Sequence, residues 1–266
     1  MNEHVRNFKT IFNNTAKHNN RYDVFRDFVF LTSIAIENAF LKCNEKEEEY
    51  LNIIGKYSSD DANRFATLYA ELVMAFELET SDVLGQIFME LEISSKNLSQ
   101  YFTPYSLCKV MASANIGSGF DDKLSERGYI TVSEPASGSG SMIIAFSECM
   151  LEEGYNPQRQ MYFQAIDLDP VAARMAYIQL STLGLVGEVV IGNTLSLEFT
   201  STMKTPAYYL WGHTLKRSSH FIESDAKQIE TDVEISEDEP FCLQLNLFAN
   251  CEHAKLVSQK LSIQPS

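Results

Sequence analysis

Residues 134 to 142 read Glu-Pro-Ala-Ser-Gly-Ser-Gly-Ser-Met and follow directly on the apolar run Tyr129-Ile130-Thr131-Val132. A strand of β-branched residues there ends in a carboxylate and turns through two glycines. It then enters an apolar helix at Met142, Ile143, Ile144, Ala145 and Phe146. That order builds a nucleotide-type pocket at the carboxyl end of a strand in a doubly wound α/β domain. Gly138 and Gly140 carry no Cβ, so the turn backbone from Ala136 to Gly140 can approach a bound molecule closely. An ordinary glycine turn between strand and helix has the same local sequence.

The spacing is not the dinucleotide fingerprint, which has three glycines and places its acidic residue about 20 positions later. An acidic residue before the glycines suits a pocket for S-adenosylmethionine, in which Glu134 would hold the cationic methionine end.

These residues need a scaffold, and the surrounding pattern supplies one. Residues 161–166 and 188–191 read as further strands, and 141–152 and 171–183 as the helices between. Strand alternating with helix predicts a Rossmann-like parallel sheet with helices on both faces. Tyr105 to Ala114 reads as a helix leading into this domain. Residues 1 to 97 hold almost no proline or glycine, and apolar positions such as Phe25, Phe28, Val29, Leu31 and Ile34 recur at helical spacing. Four or five helices are expected there, capped at Ser59, Asp60 or Asp61 and again at Ser81 or Asp82. The reading divides the chain into a helical region 1–98, an α/β domain 99–218 and an acidic tail 219–266 that reads as flexible.

Composition narrows the classes further. The chain has 266 residues, 45% of them hydrophobic, which fits a packed globular protein. It contains no run of 18 apolar residues and no apolar signal core at its start, so a cytoplasmic protein without a membrane span is expected. Five scattered cysteines without a Cys-x-x-Cys pair read as reduced thiols, with no metal site. There are 36 acidic and 21 basic residues, a net charge of −15. A DNA partner would therefore be held weakly by this chain alone.

Taken together, three segments resemble the adenine-N6 DNA methyltransferases of the kind found as modification subunits of type I restriction systems. Asp82-Val83-Leu84-Gly85-Gln86-Ile87-Phe88 resembles the segment that closes the helical domain of that family. Gln100-Tyr101-Phe102-Thr103-Pro104 is similar to its Gln-Phe/Tyr-Phe-Thr-Pro motif, so Tyr101, Thr103 and Pro104 are implied to bind the methionine part of the cofactor. Glu134 to Ser141 resembles Asp-Pro-Ala-Cys-Gly-Ser-Gly-Gly, departing at Glu134, Ser137 and Ser141. The resemblance implies that Asp167 accepts the ribose hydroxyls. It puts Asn193 where the family usually has an Asp for the adenine amino group; Asn can still accept through its carbonyl oxygen, so weakened but not lost recognition is expected. Asp169, before Pro170, reads as a helix cap.

The implied activity is methylation of adenine N6 in DNA, with restriction-modification subunits as partners. The family's catalytic Asn-Pro-Pro-Phe/Tyr is missing. Its nearest counterpart is Thr205-Pro206-Ala207-Tyr208, either an altered catalytic loop (Thr205, Pro206, Tyr208) or a surface turn with a packed tyrosine. Trp211 beside it could stack on an extruded base or cover a sheet edge. In the tail, Gln244-Leu245-Asn246-Leu247-Phe248 resembles the peptide by which bacterial proteins bind the sliding clamp. The alternative is a segment that packs back on the domain. A catalytically impaired protein with this fold, acting as decoy or regulator of restriction or replication complexes, is the second function the sequence allows.

Overall fold

The computed structural model describes residues 2–91, 103–117 and 119–216. Five helices open the chain: α1 (Glu3–Asn14), α2 (Arg21–Leu41), α3 (Asn44–Ile54), α4 (Ser59–Leu78) and α5 (Val83–Glu90). Their caps follow the sequence closely. Ser58, one residue before the expected start, accepts from the Asp61 amide, and Asp82 accepts from Gly85. Phenylalanines fill the interior of this region. Phe8, Phe12, Phe25, Phe28 and Phe65 are fully buried, and Phe25 and Phe88 meet with ring centroids 5.4 Å apart.

The α/β part follows as α6 (Tyr105–Asn115), α7 (Phe120–Arg127), β1 (Ile130–Glu134), α8 (Ser141–Glu152), α9 (Pro157–Gln160), β2 (Met161–Asp167), α10 (Pro170–Thr182), β3 (Val186–Asn193), β4 (Glu198–Lys204) and α11 (Pro206–Lys216). The sheet order is β1-β2-β3-β4. The first three strands are parallel, as the alternating pattern predicts, and β4 returns antiparallel to β3.

Side-chain alternation explains how the sheet is covered. Phe163, Ala165, Val189 and Ile191 share one face and are buried under α8 and α10. Helix α6 packs on α8, and α2 packs on α10. The opposite face carries Tyr162, Gln164 and Glu188, all half-buried, and Gln164 Nε2 donates to Glu188 Oε1 at 2.9 Å. Helices on both faces were expected. Among the described residues α11 packs on this second face at its amino-terminal end, through Ala207 and Tyr208 against Tyr129, Tyr162 and Val186.

One hydrophobic core runs from Val5 in α1 through Phe88 in α5 to Met203 in β4, so the helical region and the sheet are packed as a unit. Arg174 of α10 crosses that junction. Its guanidinium lies 4.3 Å from the centre of the Phe30 ring and donates to Ser33 Oγ at 2.8 Å. Among the described residues no helix is long and apolar enough to cross a membrane, and no group of side chains could hold a metal ion.

Candidate functional site

The parallel register sets the ends of β1, β2 and β3 side by side. Glu134 pairs with Ala165, and Asp167 with Ile191, two residues before Asn193. The three residues predicted from separate stretches of sequence therefore lie at one edge of the sheet, at the carboxyl ends of its parallel strands.

The turn after β1 is stitched to its neighbours by backbone bonds. Ser137 N donates to Ile166 O at 2.8 Å, Gly138 N to Asp167 Oδ2 at 2.7 Å, and Gly140 N to Ser137 O at 2.8 Å. Gly138 and Gly140 both have positive φ, +54° and +94°, a region that disfavours side chains. A Cβ at Gly140 would also lie 3.3 Å from the Ala176 backbone, so glycine lets α10 approach the turn. Thr194 Oγ1 donates to Pro135 O at 2.7 Å and ties the β3 loop to the β1 loop.

The predicted ligand-binding residues that are described have definite environments. Glu134 is half-buried, and its Oε1 accepts from Ala136 N at 3.2 Å. Asp167 accepts from Asp169 N through Oδ1 at 2.9 Å and from Gly138 through Oδ2. Burial raises its pKa above the ordinary value, and the backbone amides of Asp169 and Gly138 oppose that rise. Each carboxylate oxygen keeps a further lone pair for an outside donor. Asn193 turns its Oδ1 into its own loop, accepting from Leu195 N at 2.9 Å and Ser196 N at 3.3 Å. The oxygen that sequence reasoning offered to an adenine amino group is thus already engaged. Asp169 caps α10 through Val171 N, as expected. Pro104 starts α6 with Thr103 exposed before it, and α6 lies along α8, the helix that leaves the glycine turn. Tyr101 lies outside the described residues, as does the peptide Gln244, Leu245, Leu247, Phe248.

A buried network behind the turn was not anticipated as part of the site. Asp82 Oδ1 accepts from Gly85 N at 2.9 Å and Gln179 Nε2 at 2.8 Å, and its Oδ2 accepts from Ser139 Oγ. Gln179 also donates to Ser139 O at 2.7 Å and accepts from Leu84 N at 2.9 Å. A Cβ on Gly85 would lie 2.1 Å from Asp82 Oδ2, which explains the glycine there. The sequence flagged Asp82 as a helix cap and as the start of the segment resembling the close of the family's helical domain, not as a partner of the glycine turn. Its partners are 57 and 97 positions away, a separation that no local pattern reveals.

The proposed catalytic loop is a correction. Because β4 runs antiparallel to β3, its end lies beside the start of β3, where Lys204 pairs with Glu188. Thr205, Pro206 and Tyr208 therefore sit at the opposite end of the sheet from Asn193, which pairs with Glu198. Six residues of strand, roughly 20 Å, separate the two ends. Thr205 is fully buried and donates to Leu185 O at 2.8 Å, and its hydroxyl accepts from Gly187 N at 3.3 Å. Pro206 opens α11, and Tyr208 packs in the cluster of Tyr129, Tyr162 and Val186. Trp211, half-exposed, lies on the same helix, away from the strand ends that carry Glu134 and Asp167.

Residues 80–207 match the model of the N-6 DNA methylase family. The matched span opens just before Asp82 and contains the glycine turn, all three strand ends and β4. A provisionally named class I S-adenosylmethionine-dependent methyltransferase from Listeria monocytogenes is similar to the chain at 12% identity, with a TM-score of 0.41, covering 83% of this chain and 71% of that one. No curated protein sequence matches it.

The cofactor that likeness to the N-6 DNA methylase family implies is S-adenosylmethionine, and the glycine turn after β1 fits it. The positive-φ glycines clear a backbone cradle, two carboxylates end adjacent strands, and the buried Ser137 Oγ has no hydrogen-bond partner among the described residues. An orphaned hydroxyl in such a turn is what an outside polar group would satisfy.

Proposed function

We propose that this protein is an S-adenosylmethionine-dependent DNA methyltransferase acting on adenine N6. The observation that carries this is the meeting of Glu134, Asp167 and the glycine turn at one sheet edge, within the span that matches the methylase family. Glu134 faces the cationic methionine end, with Tyr101, Thr103 and Pro104 on the same part of the cofactor. Asp167 accepts from the ribose hydroxyls, Asn193 borders the adenine, and the Ala136, Gly138 and Gly140 backbone lies against the ligand. The cofactor supplies an electrophilic methyl group on sulfur. The chain's part is to hold it and exclude water. Thr205, Pro206 and Tyr208 have no part in holding the target amine. The groups that do so lie elsewhere in the chain or on a partner, such as a restriction-modification subunit. With a net charge of −15, such a partner would also supply the basic surface for DNA.

The buried position of Thr205 also favours a second reading, a cofactor-binding protein that regulates a restriction or replication complex without transferring methyl groups itself. Under that reading the peptide from Gln244 to Phe248 would capture the sliding clamp. Calorimetry with S-adenosylmethionine and its demethylated product, followed by transfer of tritiated methyl to unmodified DNA with and without cellular partners, separates these readings. Binding that is lost in Gly138→Val, together with transfer to adenine, is the expected result. Binding without transfer under any condition selects the regulator, and no binding at millimolar ligand removes both.

A further inference from the structure

We propose that Asp82 is an electrostatic specificity residue. Its buried charge lets the site favour the sulfonium cofactor over the neutral thioether product. The proposal rests on the cofactor reading above. Asp82 is 7% exposed, and its hydrogen-bond partners are neutral donors: the Gly85 amide, the Gln179 side-chain amide and the Ser139 hydroxyl. Among the described residues no Lys, Arg or His forms an ion pair with it. Capping α5 and holding the network require only acceptors, and an asparagine caps a helix as well as an aspartate does. Burying a carboxylate instead is costly unless a cation compensates it.

The position supplies a place for that cation. Ser139, the direct partner of Asp82, is the residue between Gly138 and Gly140. Ser137, two residues earlier in the same turn, has its buried hydroxyl unpartnered. Asp82 and Glu134 also share a neighbour. The Cys108 thiol of α6, pushed up mainly by burial, feels the charge of both. Two carboxylates around one turn, one half-exposed and one buried, make a field that favours a positive ligand. Low local dielectric lets the buried charge act across the turn without touching the ligand. Asp82 is thus a positioning and selectivity residue for the methionine end of the cofactor.

The test compares two ligands that differ by one methyl group and one charge. Affinities for S-adenosylmethionine and S-adenosylhomocysteine are measured by calorimetry in the whole chain and in Asp82→Asn. The asparagine keeps its oxygen on Gly85 and Gln179, and the Ser139 hydroxyl reverses to accept from its amide. The expected result is a fall of about tenfold in the ratio of the two affinities, with binding of the neutral product changed less than twofold. Equal losses for both ligands would make Asp82 a structural residue only, and an unchanged ratio would remove the proposal. If Asp82→Asn does not fold by thermal denaturation, Asp82→Ser, which keeps an acceptor without the charge, is read in the same way. Failure of the unaltered protein to bind either ligand would instead strike the cofactor reading itself.

Discussion

Asp167 shows how one residue is pulled in two directions. Burial raises its carboxyl above the ordinary 3.8, while two backbone amides hold the ionised form. The folded chain therefore keeps the proton to higher pH than the unfolded chain does. Between 3.8 and the raised value the folded state binds more protons, so stability declines as pH rises through that window and is level above it. Ligand binding runs the other way, because a ribose hydroxyl needs the ionised acceptor. Affinity for S-adenosylhomocysteine, followed by calorimetry downward from pH 7, is expected to fall before the pH reaches 3.8. Asp167→Asn should remove that pH dependence and cost about tenfold or more in affinity at neutral pH. A pH profile unchanged by the substitution would take Asp167 out of the site. Glu134 and Asp167 were legible in position because each ends a short strand that breaks into a turn, which is a short-range signal. Asn193 was legible in position but not in use, since the Asx turn that occupies its oxygen depends on the path of the β3–β4 hairpin.

At the scale of elements, the direction of β4 decides the most. A parallel strand would have carried Thr205 to the glycine turn. The antiparallel return carries it to the far end, where its hydroxyl clips the start of β3. Thr205→Val keeps the shape and deletes the donor. It should cost about 1–3 kcal/mol in thermal or denaturant unfolding, because the buried Leu185 carbonyl loses its partner. Cofactor affinity should stay within twofold, and a larger loss would return Thr205 to the site. The sequence hid this strand because Glu198 to Thr202 are exposed, and only Met203 alternates into the core. A strand on a sheet margin, wet on both faces, has no hydrophobic period to read. Helix α11 was hidden for a related reason. Its Pro206 and tyrosines resemble a loop motif until the helix end and the cluster under it are seen together.

The described residues pack as one body around the sheet. Phe88 belongs to a helix of the N-terminal region, yet it lies in the same core as Phe163 and Val189. Phe88→Ala should cost about 3–5 kcal/mol, and scanning calorimetry should show a single shifted transition. Two transitions, with only the lower one moved, would mean that the helical region folds apart from the sheet. The boundary near residue 98 is thus a change of sequence texture more than a break in packing. The Asp82 network makes the same junction polar as well as apolar, since α5, the glycine turn and α10 share one set of hydrogen bonds.

Sequence by itself determined the elements with strong local periods: the phenylalanine-rich helices, the β1 turn, β2 and β3 with α8 and α10 around them, and through the turn the kind of ligand to expect. These signals are short-range, because a backbone period or a missing Cβ acts within a few residues. Tertiary structure alone decided which strand end β4 reaches, which face of the sheet is covered, and that Asp82 lies behind the glycine turn. Those outcomes depend on chain direction and on contacts between residues far apart in sequence, where no local preference distinguishes one partner from another.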